Sequence, residues 1–241
     1  MWRERSTLSA RRLPQGGGRN RRRTYRGGGL ILDRSLFYLT GGGQPGDGGE
    51  LRWGEEAATI VTTIKGPKGA IVLVPAYGMP RPPVGPTVLQ RLDWERRYAH
   101  MQIHTASHLL SVVIPLPVTG GAITAEKGRL DFDMPQALAE KDTLAAKLNA
   151  LILQDFHITE HWITDAELEA NPSLVKTMSV KPPTGQGRVR LVRIGSEGLQ
   201  VDLQRCGGTH VARTGEIGPL QIGKIEKKCK QNRRVSIHFA D

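Results

Sequence analysis

The sequence predicts an α+β protein, and three observations lead to that prediction. Runs rich in β-branched residues, separated by glycine turns, indicate strands in the first third of the chain. Apolar residues then recur at helical spacing in two segments between residues 93 and 155. Short alternating segments return after residue 155 and indicate further strands. Helices packed on a largely antiparallel sheet account for this order.

The first 26 residues differ in composition from the rest of the chain. They contain nine Arg and one Glu, which contribute +8 to the total formal charge of +11, and they carry repeated glycines but few apolar residues. Such a composition predicts a disordered basic tail over residues 1–26. A basic arm on RNA phosphates, an extension without function and an organelle transit segment all remain open for it.

Overall composition limits the class of protein. Hydrophobic residues make up 38% of the 241 residues, and no run of 18 apolar residues occurs, so no membrane-spanning helix is expected. The net positive charge suggests a nucleic-acid partner. Cys206 and Cys229 are the two cysteines of the sequence, too few for a disulfide framework. A reducing, cytoplasmic setting is therefore expected.

A small β domain is predicted over residues 27–92. "GLILDRSLFYLTGGGQPGDGGELRW" indicates strand, glycine turn and strand, and "ATIVTTIKGPKGAIVLVP" indicates a hairpin. The following "YGMPRPPVGPTV" has four prolines in 12 residues and is typical of a connection between domains.

The second predicted domain covers residues 93–241. "DWERRYAHMQIHTASHLLSVVI" indicates a helix that ends before Pro115. A turn and strand follow in "TGGAITAEKGRLDFDM", and then a second helix in "MPQALAEKDTLAAKLNALILQD", with Pro135 suited to its first turn. The remaining segments are the strand "FHITEHWIT", the short helix "DAELEANP" and the strands "VRLVRI", "LQVDLQ", "LQIGKIEK" and "RRVSIHF".

Two short motifs suggest a metal site. His104 and His108, four residues apart, share one face of the first predicted helix, so both imidazoles can reach one ion. Cys206 and His210 follow a predicted strand, with two glycines between them that permit a tight turn. The histidine pair alone is weak support, because such residues are often simply part of a core. A thiolate combined with imidazoles favours zinc over magnesium or calcium.

A second histidine pair is a decoy for a metal site. "HITEH" at 157–161 fits the H-x-x-E-H pattern of some zinc peptidases, but that chemistry requires a helix. On the predicted strand, His157 and His161 lie about 13 Å apart and cannot share an ion. "HTASH" lacks the glutamate of H-E-x-x-H, which also disfavours a metalloprotease.

"HTASHLL" together with "RCGGTHVARTGEIGPLQIGKIEKKCKQNRRVSIHF" resembles the editing domain of alanyl-tRNA synthetases and of its free-standing relatives, the alanyl-tRNA editing proteins. "LFYLTGGGQPGDGGEL" resembles the glycine motif of the β domain that precedes that editing domain. The resemblance covers about residues 28–241. Threonyl-tRNA synthetases carry a related editing domain, and the "GGGQPGD" stretch favours the alanyl side.

The resemblance implies a fold of the threonyl/alanyl editing-domain type, with an antiparallel sheet packed with helices after a β-barrel-like N-terminal domain. It implies hydrolysis, in trans, of the ester bond that links serine to tRNA for alanine. Glycine is a second candidate for the amino acid removed. Deacylation of another mischarged tRNA, such as that for threonine, is one alternative. A non-catalytic RNA-binding module stabilised by zinc is the other.

The resemblance also assigns residues. His104, His108, Cys206 and His210 match the family's ligands for one zinc ion, and their ligand atoms should then lie within about 4 Å of one another. Four protein ligands fill a tetrahedral site, so a reaction there requires that one ligand loosens, with Cys206 the candidate, or that the ion expands its coordination. A closed structural zinc site is the remaining alternative.

Further candidates are less closely defined. Thr105, Thr119 and Thr124 are candidates for catalytic contacts with the substrate. The loop Gly41, Gly42, Gly43 and Gln44 lacks the Lys-Ser/Thr of a P-loop. It is either a simple β-turn or, as the resemblance implies, a loop that lies close to the editing pocket. A basic run near the C-terminus is a candidate tRNA surface, formed by Lys224, Lys227, Lys228, Lys230, Arg233 and Arg234.

Overall fold

A computed structural model describes residues 15–19, 28–136, 140–171 and 187–240. These residues fall into two compact units. The first unit contains the described part of Met1–Thr40 with Pro45–Arg97, and the second contains Gly41–Gln44 with the described part of Tyr98–Asp241. The glycine turn of the "GGGQPGD" motif therefore groups with the second unit, although it interrupts the first along the chain. The domain boundary near residue 92 stays a prediction.

The α+β class predicted from the sequence is confirmed. No described helix is both long enough and apolar enough to cross a membrane. In chain order the elements are β1 Gln15–Arg19, β2 Gly49–Trp53, β3 Glu56–Lys65, β4 Ile71–Pro75, β5 Thr87–Leu92, α1 Trp94–Val113, β6 Val118–Ile123, β7 Lys127–Asp133, α2 Lys141–Leu153, β8 His157–Ile163, α3 Asp165–Ala170, β9 Val189–Ser196, β10 Leu199–Arg205, β11 Leu220–Lys227 and β12 Asn232–Phe239.

The first unit is built on one antiparallel sheet with the order β1-β5-β2-β3-β4. Leu51, Ile60, Leu73 and Val88 form its core, and each is at most 1% exposed. Because β1 and β4 lie at the two ends of this order, the described strands form an open sheet. The barrel-like closure predicted for this part of the chain is not shown.

Strand β1 lies within the predicted basic tail, whose disorder stays a prediction. Gln15–Arg19 pair antiparallel with β5, although residues 1–26 are predicted to be disordered. Composition indicates how much apolar surface the side chains can bury. Pairing at a sheet edge depends instead on main-chain N–H and C=O groups, whatever the side chains are. The remaining residues of the predicted tail lie outside the described residues.

Strand β5 is missing from the sequence prediction. Its alternation of exposed and buried residues, with Val88, Gln90 and Leu92 inside, is obscured by the four prolines that precede Thr87. Conversely, the strand predicted after Gly29 is reduced to an isolated bridge between Leu30 and Leu73.

The second unit contains two antiparallel sheets, with the orders β10-β9-β8 and β11-β12-β7-β6. Helices α1 and α2 contribute Ile103, Leu109 and Leu148 to its core, all fully buried. Helix α2 begins at Lys141, later than the prediction that places Pro135 in its first turn. The chain before it is held by buried Met134, whose backbone N–H donates to Gln231 O at 2.5 Å.

Helix α1 begins and ends where the sequence predicts. The Oδ1 of Asp93 accepts from Arg96 N at 3.2 Å, as expected of an acidic residue before a first turn, and the helix ends at Val113, two residues before Pro115. Ten of its residues between His100 and Ser111 are buried. Its imidazoles therefore face protein rather than solvent.

A buried ion pair in the first unit generates a stability prediction. Asp47 is 2% exposed and accepts from Arg97 Nε at 2.8 Å and from Tyr38 N at 2.6 Å. Replacement by Ala leaves the Arg97 guanidinium buried without its counter-charge. We expect Asp47→Ala to lower the free energy of unfolding by about 3–5 kcal/mol, measured by urea denaturation.

The matched control is Glu50→Ala, which removes the exposed ion pair between Glu50 and Arg52. Exposed pairs contribute little, so its effect should stay below about 1 kcal/mol. Equal effects of the two substitutions would show that the Asp47–Arg97 pair stabilises the protein no more than an exposed ion pair does.

Candidate metal centre

The two motifs singled out in the sequence meet in the second unit. His104 and His108 from α1, and Cys206 and His210 after β10, offer ligand atoms that all lie within 4.8 Å of one another. Cys206 Sγ lies 3.4 Å from His104 Nε2 and 3.3 Å from His210 Nε2. The full spread is somewhat wider than the expected 4 Å, while the two distances to sulfur agree with a tetrahedral ion.

Helix α1 presents His104 and His108 one turn apart on the same face, with ring centroids separated by 5.5 Å. The His210 ring centroid lies 4.6 Å from each of these two rings. Since His104 and His108 are buried and His210 half-buried, the ring nitrogens converge in a region largely closed to bulk water.

The turn after β10 brings the thiol and His210 to the helix. Cys206 N donates to Arg190 O at 3.3 Å, which extends the pairing of β10 with β9 by one residue. A Cβ at Gly208 would overlap the His104 ring, whereas a Cβ at Gly207 would meet no atom within 4 Å. Gly208 is therefore needed for close approach to α1, a more specific role than the turn flexibility inferred from the sequence.

Gln44 orients His104. Its Oε1 lies 2.8 Å from His104 Nδ1 and accepts from Thr209 N at 3.0 Å, while its Nε2 donates to Thr209 Oγ1 at 2.8 Å. Gln44 is 1% exposed. With Nδ1 donating to this oxygen, Nε2 of His104 is left as the nitrogen that faces Cys206.

Two residues of the predicted pocket loop make defined contacts, and the loop's place near an editing pocket stays a prediction. Gln44 holds a candidate ligand, and Gly43 O accepts from Ile123 N at 2.9 Å, which joins the loop to β6. A Cβ at Gly43 would crowd Gly121 O at 2.6 Å, so the approach requires glycine.

Thr105 and Asp202 orient the other two imidazoles. Thr105 Oγ1 donates to Met101 O at 2.8 Å and lies 3.1 Å from His210 Nδ1. Asp202 Oδ2 lies 3.2 Å from His108 Nδ1 and accepts from Gln204 Nε2 at 2.8 Å. Each histidine thus has an oxygen on Nδ1, the arrangement that commonly fixes metal-binding imidazoles.

Sequence reasoning missed Asp202 and Gln204 altogether. A signal for them exists in "LQVDLQ", where polar residues occupy alternate positions of a strand directly before Cys206. Both are nearly fully buried, as polar residues that support a site often are.

Protonation in the cluster is governed by burial and mutual charge. Burial would lower the pKa of His108, but the Cys206 thiolate and Asp202 outweigh it and raise the pKa to about 9. Burial likewise would raise the pKa of Cys206, but His104 and His108 hold it well below its usual range. Burial lowers the pKa of His210 to about 3, with repulsion from His104 and His108 adding to it and Cys206 opposing.

The donor set fits a metal ion. A thiolate and three imidazoles, each with Nδ1 held from outside, form a set that could hold one divalent cation. A metal ion binds the thiolate and the neutral imidazoles, so its binding would release any proton that these groups carry.

The three threonines predicted to contact substrate have different surroundings. Thr105 is fully buried and its hydroxyl is engaged by Met101 O and His210. Thr119 Oγ1 donates to Asp131 O at 3.1 Å. Thr124 is exposed, and its Oγ1 accepts from Glu126 N at 3.2 Å in the turn before β7. Their catalytic role stays a prediction.

The predicted basic surface separates into paired and exposed members. Arg234 donates to Asp131 at 2.6 Å, and Lys224 lies 3.3 Å from Glu226. Lys227, Lys228 and Lys230 are exposed around the turn between β11 and β12. Arg233 is half-buried, and its Nη2 donates to Pro135 O at 3.5 Å. Of the six predicted residues, the three lysines at this turn are therefore the best placed to meet a polyanion.

The decoy histidines lie on a strand, as predicted. His157 Nε2 lies 2.8 Å from Arg213 Nη1, and His161 lies 3.1 Å from Thr159 Oγ1. Neither belongs to the cluster.

Comparison with known proteins gives a family match and several relatives. Residues 189–236 match the family model "Threonyl and Alanyl tRNA synthetase second additional domain". The alanyl-tRNA editing protein AlaX-M of Methanosarcina acetivorans is 32% identical over 88% of this chain and 89% of its own length. The alanyl-tRNA editing protein AlaX-L of Pyrococcus horikoshii is 31% identical over 86% of this chain and 50% of its own length.

A longer relative is the alanine–tRNA ligase of Pyrobaculum arsenaticum, which is 34% identical over 82% of this chain. The matched region is 22% of that ligase. The chain thus spans about a fifth of the ligase and nearly the full length of AlaX-M.

The packing of Gly208 against His104 generates a metal-binding prediction. We expect Gly208→Ala to push the His104 ring away and weaken Zn²⁺ affinity by at least about tenfold, measured by competition with a chromophoric chelator. Gly207→Ala, at the neighbouring open position, should bind Zn²⁺ like the unmodified protein. Equal affinities for the two variants would contradict the site.

Proposed function

This chain belongs to the alanyl-tRNA editing family, and we propose that it hydrolyses the ester bond between serine and mischarged tRNA for alanine, acting in trans with one zinc ion. It is an aminoacyl-tRNA deacylase, as its relatives' names indicate. The proposed zinc-dependent reaction is supported by the convergence of His104, His108, Cys206 and His210. Glycine is a second candidate for the amino acid removed.

The need for such an activity has a physical basis. A synthetase pocket shaped for alanine cannot strongly reject an amino acid that differs by one hydroxyl or one methyl group. A separate hydrolytic site restores the lost discrimination.

Zinc is the metal that this donor set favours, because thiolate and imidazole ligands suit it better than magnesium or calcium. Bound there, zinc would supply a Lewis acid for the ester carbonyl or lower the pKa of a water molecule. His104, His108 and His210 would hold the ion through nitrogens directed by Gln44, Asp202 and Thr105.

Cys206 is the ligand we propose to loosen when substrate binds. Four protein ligands complete a tetrahedral shell, so a substrate oxygen needs either a vacated position or a fifth one. Cys206 lies in the turn just beyond β10, whereas His104 and His108 are fixed within helix α1. Gly208 N also donates to its Sγ at 3.3 Å, an interaction that can stabilise the thiolate if it leaves the metal.

The decisive experiment is a deacylation assay with zinc-loaded protein. Seryl-tRNA for alanine should be hydrolysed, and His104→Ala should abolish hydrolysis while circular dichroism shows a retained fold. If the zinc-loaded protein leaves the ester intact, the proposal is lost. Preferential release of serine from tRNA for threonine supports the rival enzyme, and tRNA binding without any hydrolysis supports a silent module.

The exposed lysines at the β11–β12 turn generate a prediction about tRNA affinity. Replacing Lys227, Lys228 and Lys230 with Ala removes up to three charges that can neutralise phosphates. We expect weaker tRNA binding, and a salt dependence of log Kd reduced by about 0.7–0.9 for each phosphate that is no longer neutralised. Filter binding from about 0.05 to 0.3 M salt measures both quantities.

The control is the pair Lys65→Ala and Lys68→Ala, which removes exposed charge from the turn between β3 and β4. It should leave the salt slope unchanged. Equal slopes for both sets of substitutions would mean that the β11–β12 turn carries no specific phosphate contact.

A further inference from the structure

Three residues lie side by side across β10, β9 and β8. Arg190 of β9 is the partner of Trp162 of β8, and its backbone oxygen accepts from Cys206 N just beyond β10. Directly opposed residues of an antiparallel pair project from the same face of the sheet. Cys206, Arg190 and Trp162 therefore form one row that begins at the candidate metal centre.

The middle residue of the row is held in place. Arg190 Nη1 donates to Cys206 O at 2.9 Å and to Gly208 O at 2.8 Å, and its Nη2 donates to Glu160 at 2.6 Å. The Arg190 side chain thus joins the turn that carries Cys206 to Glu160 of β8. Glu160 is on the same face, and its charge is balanced by Arg190.

The outer residue of the row is unusually exposed for its size. Trp162 is 59% exposed, and in the described part of the second unit the other large exposed apolar residues are Leu153 and Leu199. Two strand spacings separate the backbones of Trp162 and Cys206, a distance on the order of 10 Å. A largely exposed indole side chain therefore lies two strands from Cys206, on the same face of the sheet.

The chemistry of the substrate determines what can occupy this position. In an aminoacyl-tRNA the ester is carried by the ribose of the unpaired 3′-terminal nucleotide. Its base is thus tethered within one nucleoside of the bond to be cleaved. Unpaired bases bind proteins largely by stacking on aromatic side chains, often with help from an adjacent guanidinium.

We propose that Trp162 is the stacking surface for the 3′-terminal base of the tRNA, with Arg190 linking this surface to the metal-binding turn. The inference rests on the proposed function, because it takes the terminal nucleotide of an aminoacyl-tRNA as the occupant. It assigns Trp162 to substrate binding and leaves the chemical step to the metal cluster.

The direct test uses an unacylated RNA hairpin with 2-aminopurine as its 3′-terminal base, so that no hydrolysis is needed. Stacking on indole quenches this fluorophore. We expect quenching with the zinc-loaded protein, loss of most of it with Trp162→Ala together with about tenfold weaker binding, and retention of most of it with Trp162→Phe.

The matched control is Leu199→Ala, which removes a similarly exposed apolar side chain at the other end of β10, about 20 Å from Cys206. It should quench and bind like the unmodified protein. Unchanged quenching in Trp162→Ala, or failure of Trp162→Phe to restore binding, overturns the assignment.

Kinetics separate this inference from the function on which it rests. In the deacylation assay, Trp162→Ala should raise KM about tenfold with kcat within about twofold, as expected for loss of uniform substrate binding. If the unmodified protein hydrolyses seryl-tRNA and Trp162→Ala has the same KM, the stacking surface is wrong and the function stands. If the hairpin is quenched but no ester is hydrolysed, the proposed function fails while the base-binding surface remains.

Discussion

The packing of α1 against the turn after β10 is the constraint on which the candidate site depends. Four ligand atoms from two segments a hundred residues apart can converge only if the turn approaches the helix closely. Gly208 allows that approach, because any side chain there would occupy the space of the His104 ring. Val211 N donates to Thr105 Oγ1 at 3.3 Å and ties the two segments together just beyond the turn. The same hydroxyl also contacts His210 Nδ1, so it both joins the turn to α1 and orients a candidate ligand.

Electrostatics in the cluster follow from that packing. Three imidazoles and a thiol are held together in a poorly hydrated space, where burial and mutual charge shift the pKa values of Cys206, His108 and His210 in different directions. A divalent cation resolves the conflict, because it favours the thiolate and the neutral imidazoles at once. Metal binding should therefore contribute to the stability of the second unit as well as to any reaction there.

Regular elements could be predicted from the sequence where local pattern and tertiary environment agree. Helix α1 has both a clear apolar face and a proline just beyond its end, and β10 and β12 alternate apolar with polar residues. The prediction fails where the environment supplies what the local pattern lacks. β1 forms from a glycine-rich stretch because the edge of β5 offers main-chain partners, and β5 itself is obscured by the prolines before it. Before α2, the chain is joined by a backbone hydrogen bond from Met134 to Gln231, nearly a hundred positions away, a contact that no local pattern encodes.

The sequence alone determined which residue types could bind metal, because i, i+4 spacing on a helix and a Cys-Gly-Gly-Thr-His turn impose local geometry. It also determined the α+β class, since hydrophobic periodicity is a local property. Only the tertiary structure decided that the two motifs meet, and which oxygens orient the imidazoles. Gln44 and Asp202 lie 60 and 94 residues from the histidines they contact, so no local pattern encodes those pairings. Strand register alone set Trp162 in line with Cys206, because side-chain neighbours across a sheet depend on how strands pair and not on their distance along the chain.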